Sequence, residues 1–242
     1  MSLGKQRQFE TDIDEENPYW LSFSDIMSGL LIIFVLASLV LVLELSQRKA
    51  LVDEKILERT KAEKVRQEVL QEIKEELRRK GIVVEVSDND TVLRIPDDQL
   101  AFDTNEYRVP ADEKYQNAVI EIGRILYRAI TKENRIELFD TIFIEGHTDK
   151  RPSPRHMGNW GLSTFRAISI WNYWNDQLPA EMRLDDLKNN HGMPLFSVSG
   201  YGETRPVTEI QQTEEDFRRN RRIDLRFTVI HPKLDDILSI LD

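Results

Sequence analysis

Thr141-Ile142-Phe143-Ile144-Glu145, running on into Gly146-His147-Thr148-Asp149, is the stretch on which the fold turns. A β-branched and aromatic run closed by glycine predicts a short strand over 141–145, with polar residues at its exit. Upstream, residues 112–130 place Ala118, Ile122, Ile125, Leu126 and Ala129 at helical spacing. Downstream, residues 162–178 predict a second helix with Phe165, Ile168, Trp171 and Trp174 on its core side. Further strands are expected over 195–199 and 223–230, and a hairpin pairs 82–86 with 91–95 across a Ser-Asp-Asn-Asp turn. This order predicts an α+β domain, its helices packed on one small mixed sheet.

Toward the N-terminus lies Leu21–Leu43, LSFSDIMSGLLIIFVLASLVLVL, with the single charge Asp25. As a helix it reaches roughly 30 Å, the depth of a bilayer's hydrocarbon core. The stretch exceeds the apolar part of a secretion signal, its leading flank is acidic, and no small-residue cleavage site follows. A single uncleaved transmembrane helix over 17–44 is therefore expected, behind a disordered tail over 1–16. Asn17-Pro18 suits a helix start, and Tyr19 and Trp20 suit the membrane interface. Ser22, Asp25 and Ser28 recur every third residue, with Gly29 beside them on the same face. A carboxylate in such a span costs ~3 kcal/mol or more, which makes Asp25 a candidate functional residue, on a face with Ser22 and Ser28 that should turn toward protein. The bland alternative is an acid that snorkels to the headgroups. Lys5 and Arg7 before the span balance Arg48 and Lys49 after it, so charge leaves the orientation open.

Residues 45–80 are charged and contain neither glycine nor proline, which predicts a linker or plug helix. A heptad-spaced seam runs through Leu45, Val52, Ile56, Leu70, Ile73 and Leu77, but Arg59, Glu63 and Arg66 break it. A helix that docks and undocks and a plain solvated linker both fit. The net charge of -10 argues against nucleic acid as a partner. With no cysteine and only 4 scattered histidines, neither a thiolate site nor a catalytic zinc is expected. No nucleophile–base set appears, so an enzyme is not expected either.

Four ordered motifs carry a resemblance to OmpA-like peptidoglycan-binding domains, here over 81–242. They are Gly146-His147-Thr148-Asp149, Asn159-Trp160-Gly161-Leu162-Ser163-Thr164-Phe165-Arg166-Ala167, Gly200-Tyr201-Gly202-Glu203-Thr204-Arg205-Pro206, and Asn220-Arg221-Arg222-Ile223. Leu100-Ala101-Phe102-Asp103 also resembles the end of that family's first strand. The loop Lys150–His156 is longer and more basic than the family pattern. The resemblance implies a site for the diaminopimelate head of a wall peptide. Asp149 would accept from its ammonium and Arg166 would grip its carboxylate bidentately, with Asn159, Leu162 and Arg221 shaping the pocket. Arg222 is read as structural.

Pro18-Tyr19-Trp20-Leu21-Ser22-Phe23-Ser24-Asp25-Ile26-Met27-Ser28 is similar to the helix start of the MotB family, which has the same order of helix and domain. That resemblance implies a homodimer inside a pentameric ring of MotA- or ZorA-like membrane subunits. It implies H⁺ or Na⁺ as coupling ion, bound at Asp25 with Ser22 and Ser28, and no other cofactor. It also implies a single pass through the bacterial inner membrane, N-terminus cytoplasmic and domain periplasmic. Ser24, and Ser28-Gly29-Leu30-Leu31, depart from flagellar members and favour the ZorB branch of Zorya anti-phage systems. A flagellar stator and a passive wall tether are the alternatives.

Overall fold

The computed structural model describes residues 18–230. The expected tail over 1–16, and the last part of the expected domain beyond residue 230, lie outside them. The chain divides into two compact units between Glu54 and Lys55. Helix α1, Pro18–Arg79, contributes to both.

In the first unit α1 exposes its large apolar side chains, among them Ile26, Leu30, Phe34 and Leu43. Among the described residues it is the one helix long and apolar enough to cross a membrane. Nothing within this unit covers those side chains.

The second unit starts earlier than position 81. Ala62, Val69, Leu70, Ile73 and Leu77, on the last turns of α1, are fully buried in its core. Glu72 accepts from Lys132 Nζ at 3.0 Å and Arg135 Nη1 at 2.7 Å, which adds a polar clasp. The expectation of a separate linker over 45–80 is thus corrected. Its C-terminal half belongs to the domain, because four large apolar residues at helical spacing find a core to enter. Leu45, Val52 and Ile56, nearer the span, remain exposed.

Strand β1 (Glu85–Ser87) pairs antiparallel with β2 (Val92–Pro96), giving the expected hairpin with a shorter first arm. Asp88, Asn89 and Asp90 turn it with positive φ, a conformation Asn and Asp tolerate better than most residues. The segment over 100–103 is corrected. A single helical turn, α2 (Asp97–Leu100), follows β2, and Ala101 reverses the chain at φ 40°. Helix α3 (Glu113–Thr131) is capped by Asp112, which accepts from the Lys114 N–H. Strand β3 (Phe139–His147), helix α4 (Gly158–Gln177) and strand β4 (Phe196–Gly200) form a parallel crossover. Helix α5 (Glu214–Asn220) leads into strand β5 (Arg222–Val229). The sheet order is β1-β2-β5-β3-β4, with β5 antiparallel to both neighbours. The described residues form an α+β chain with one long apolar helix and a single mixed sheet.

Alternation along β5 sends Ile223, Leu225, Phe227 and Val229 into the core with α3 and α4. The core face of α4 differs from expectation. Leu162, Ala167, Ile170 and Trp174 are buried, whereas Phe165 and Ile168 are exposed at 36% each. Phe165 packs on Tyr107, and Trp171 stacks on Phe196. The helix presents small residues to the sheet because the two backbones approach closely. A Cβ on Gly146 would strike the Ser163 carbonyl, and one on Gly200 would strike Thr164. Gly146→Ala should therefore destabilise the full chain by ~1–3 kcal/mol or more in urea denaturation. An unchanged midpoint would overturn this account of the β3–α4 contact.

Candidate ligand-binding site

The exit of β3, the start of β5 and the turn after β2 meet at one end of the sheet. Helix α4 starts at Gly158, four residues before the expected position, so Asn159 falls in its first turn. A cavity of about 520 Å³ opens there, lined by Asp149, Asn159, Leu162, Arg166 and Arg221 together with Phe102, Arg151 and Glu214. The structure thus gathers the five residues expected to form the wall site. Ser22, Asp25 and Ser28 lie on the exposed helix of the other unit, where the Ser28 hydroxyl donates to the Ser24 carbonyl at 2.7 Å.

Asp149 is 5% exposed. Its Oδ1 accepts from the Arg151 N–H at 2.9 Å and from Arg151 Nε at 3.1 Å. Its Oδ2 accepts from Arg151 Nη2 at 2.6 Å and Arg221 Nη1 at 2.9 Å. Burial pushes this carboxyl up, but the bonds from Arg151 and Arg221 outweigh it and hold the group below the usual range. Arg221 also donates through Nε to Asp97 at 2.9 Å and through Nη1 to Glu214 at 3.0 Å. For Asp97, burial wins over the attraction of Arg221, and its carboxyl is raised.

Arg166, 3% exposed, donates through Nε to the Glu106 carbonyl at 2.9 Å and through Nη2 to the Asp103 carbonyl at 3.2 Å. Its guanidinium lies over the Phe102 ring, 5.0 Å from the centroid. Burial lowers its pKa to about 10. The Nε–Nη2 edge of its guanidinium is therefore engaged by backbone carbonyls. Only the Nη end remains for a ligand anion. Asn159 donates to the Asp149 carbonyl at 3.4 Å and the Arg151 carbonyl at 3.1 Å, and accepts from the Ser153 N–H at 3.1 Å. It fixes the loop rather than facing a ligand alone.

Sequence reasoning missed Asp97, Arg151 and Glu214. Arg151 stands in the loop whose basic character was visible. Asp97 lies 124 positions from its partner Arg221, and no local pattern marks it.

Beside the cavity, Glu145, His147 and Asp224 bring ligand atoms within 4.8 Å of one another, a grouping with the right chemistry for a metal. Arginines already meet both carboxylates. Asp224 accepts from Arg94 Nε at 3.0 Å and Arg222 Nε at 2.9 Å, and Glu145 from Arg226 Nε at 2.9 Å. This structural role for Arg222 agrees with its reading from sequence. Three cations around two carboxylates disfavour an added divalent ion.

The architecture is an α+β domain with a charged cavity where β3 leaves the sheet and β5 enters it. The chain belongs to the OmpA family, whose pattern matches residues 101–221, half of its length. A putative MotB-like protein from Desulfovibrio vulgaris superposes with a TM-score of 0.51 at 17% identity, covering 71% of this chain and 99% of that one. The periplasmic domain of Helicobacter pylori MotB gives 0.46 at 21%, over 66% and 88%. The cell wall anchor of the T6SS from Pseudomonas aeruginosa gives 0.46 at 22%, over 66% and 97%. No curated protein matches the chain.

His147 supplies a pH test of this region. It is 1% exposed, and neither ring nitrogen has a hydrogen-bond partner among the described residues. Burial, then the nearby Arg222, push its pKa from 6.5 down to about 3. The fold favours the neutral ring, so this contribution is complete above pH 6.5 and is lost as pH falls toward 3. The loss runs at up to ~1.4 kcal/mol per pH unit. Thermal midpoints measured between about pH 7 and pH 4.5 should fall more steeply for the wild type than for His147→Gln. Parallel profiles would contradict this.

Proposed function

We propose that the chain is a peptidoglycan-anchored stator subunit of a MotA/MotB-type ion-driven motor. The observation that carries the wall-binding half is the cavity itself. Segments far apart in sequence bring Asp149, Arg166 and Arg221 to one concave site in an OmpA-family domain. Acid and guanidinium together suit a head that bears an ammonium and a carboxylate on one carbon, as diaminopimelate does.

The motor half rests on Asp25 in an apolar helix. A lone carboxyl in such a span is costly to place in lipid, so a partner surface would have to receive it. A membrane potential supplies roughly 2.3 kcal/mol per charge per 100 mV. Ser22 and Ser28 offer oxygens for either H⁺ or Na⁺. A dimer held to the wall in the periplasm, with its N-terminus in the cytoplasm, would stay still while a pentameric MotA- or ZorA-like ring stepped around it. Within this class the residues of the helix favour ZorB of a Zorya anti-phage system over flagellar MotB. A passive wall tether is the second reading, favoured by the domain alone.

Asp149→Ala should weaken sedimentation of the full chain with diaminopimelate-type sacculi by ~10-fold or more, the loss of charge-assisted hydrogen bonds. Full retention would remove the wall site. Separately, Asp25→Asn should abolish ion flux and phage protection when the ring partner is coexpressed. Unchanged activity would leave the tether.

A further inference from the structure

We propose that Arg151 is a latch, a built-in cation that occupies the seat of the ligand's ammonium and must swing away before the wall peptide enters. This rests on the wall-binding reading above. A carboxylate offers about four lone-pair positions. All four on Asp149 are taken: Oδ1 by the Arg151 N–H and Nε, Oδ2 by Arg151 Nη2 and Arg221 Nη1. An incoming ammonium has no place unless one donor leaves.

The donors differ in how readily they can leave. The Arg151 backbone is held, because Asn159 grips the carbonyls of Asp149 and Arg151 and the N–H of Ser153. The far end of the loop is held as well. Arg155 Nε donates to the Asn105 carbonyl at 2.6 Å, and its guanidinium pairs with Glu106 and lies over Tyr107. Arg221, its side chain 17% exposed, is anchored by Asp97 and Glu214. The Arg151 side chain is 48% exposed, and among the described residues its partners beyond Asp149 are Glu214, itself 66% exposed, and the Phe217 ring at 4.3 Å. Its bonds to Glu214 are surface bonds and cost little to break. The side chain can therefore rotate out while the loop keeps its place.

A latch differs from a ligand-gripping arginine in the sign of its removal. The full chain in detergent would be titrated with free meso-diaminopimelate and cosedimented with diaminopimelate-type sacculi. Arg151→Ala should bind both ~10-fold or more tightly than wild type, since the competitor is gone. Glu214→Gln, which loosens the arginine without touching Asp149, should give a smaller gain in the same direction. Added methylguanidinium should return Arg151→Ala toward wild-type affinity and leave the wild type unaffected, a response that altered stability alone does not produce. Equal or weaker binding by Arg151→Ala, with Asp149→Ala still losing it, would overturn the latch and leave the wall site standing. Absence of binding by both wild type and Arg151→Ala would overturn both.

Discussion

A buried carboxylate has to be met by donors, and the end of this domain is arranged around that demand at Asp149. Strand β3 delivers the acid to a place that water scarcely reaches. An unpaired charge there would cost several kcal/mol. Arg221 answers from the start of β5 and Arg151 from the following loop. Asp97 and Glu214 then balance Arg221 from two other elements. The cavity is the space that such a network encloses, and its mixture of signs follows from charge matching.

The same rule organises the opposite face of the sheet. One side of β5 supplies Ile223, Leu225, Phe227 and Val229 to the core, and the other supplies Arg222, Asp224 and Arg226. With Arg94 from β2 and Glu145 and His147 from β3, these make a second ionic layer, nearly closed to solvent. Burial here selects the neutral histidine although Asp224 lies beside it, because desolvation and the nearby arginines outweigh the attraction of that carboxylate.

Helix α1 carries two kinds of surface along one element. Its residues from Ile26 to Leu43 carry no charge and expose large apolar side chains, a composition that suits lipid. From Ala62 onward the apolar residues narrow to a stripe that a globular core can cover. No glycine or proline interrupts the helix between these regions after Gly29, so propensity gives no boundary. The boundary is set by which neighbours are present.

The apolar span, the hairpin, helix α3 and the strands were legible in the chain because period and propensity are local properties, and the motifs containing Asp149, Asn159, Arg166 and Arg221 could be picked out by their order. The buried face of α4 was not legible. Large apolar residues at helical spacing suggested Phe165 and Ile168, whereas the close approach at Gly146 and Gly200 admits only the side with Ser163 and Ala167. Nor could sequence pair Arg221 with Asp97, direct the fork of Arg166 to backbone carbonyls, or set Arg151 on Asp149. Local pattern determines which elements form. Which charges face one another depends on how those elements stack, since Coulomb and hydrogen-bond energies act over a few ångströms of space whatever the separation along the chain.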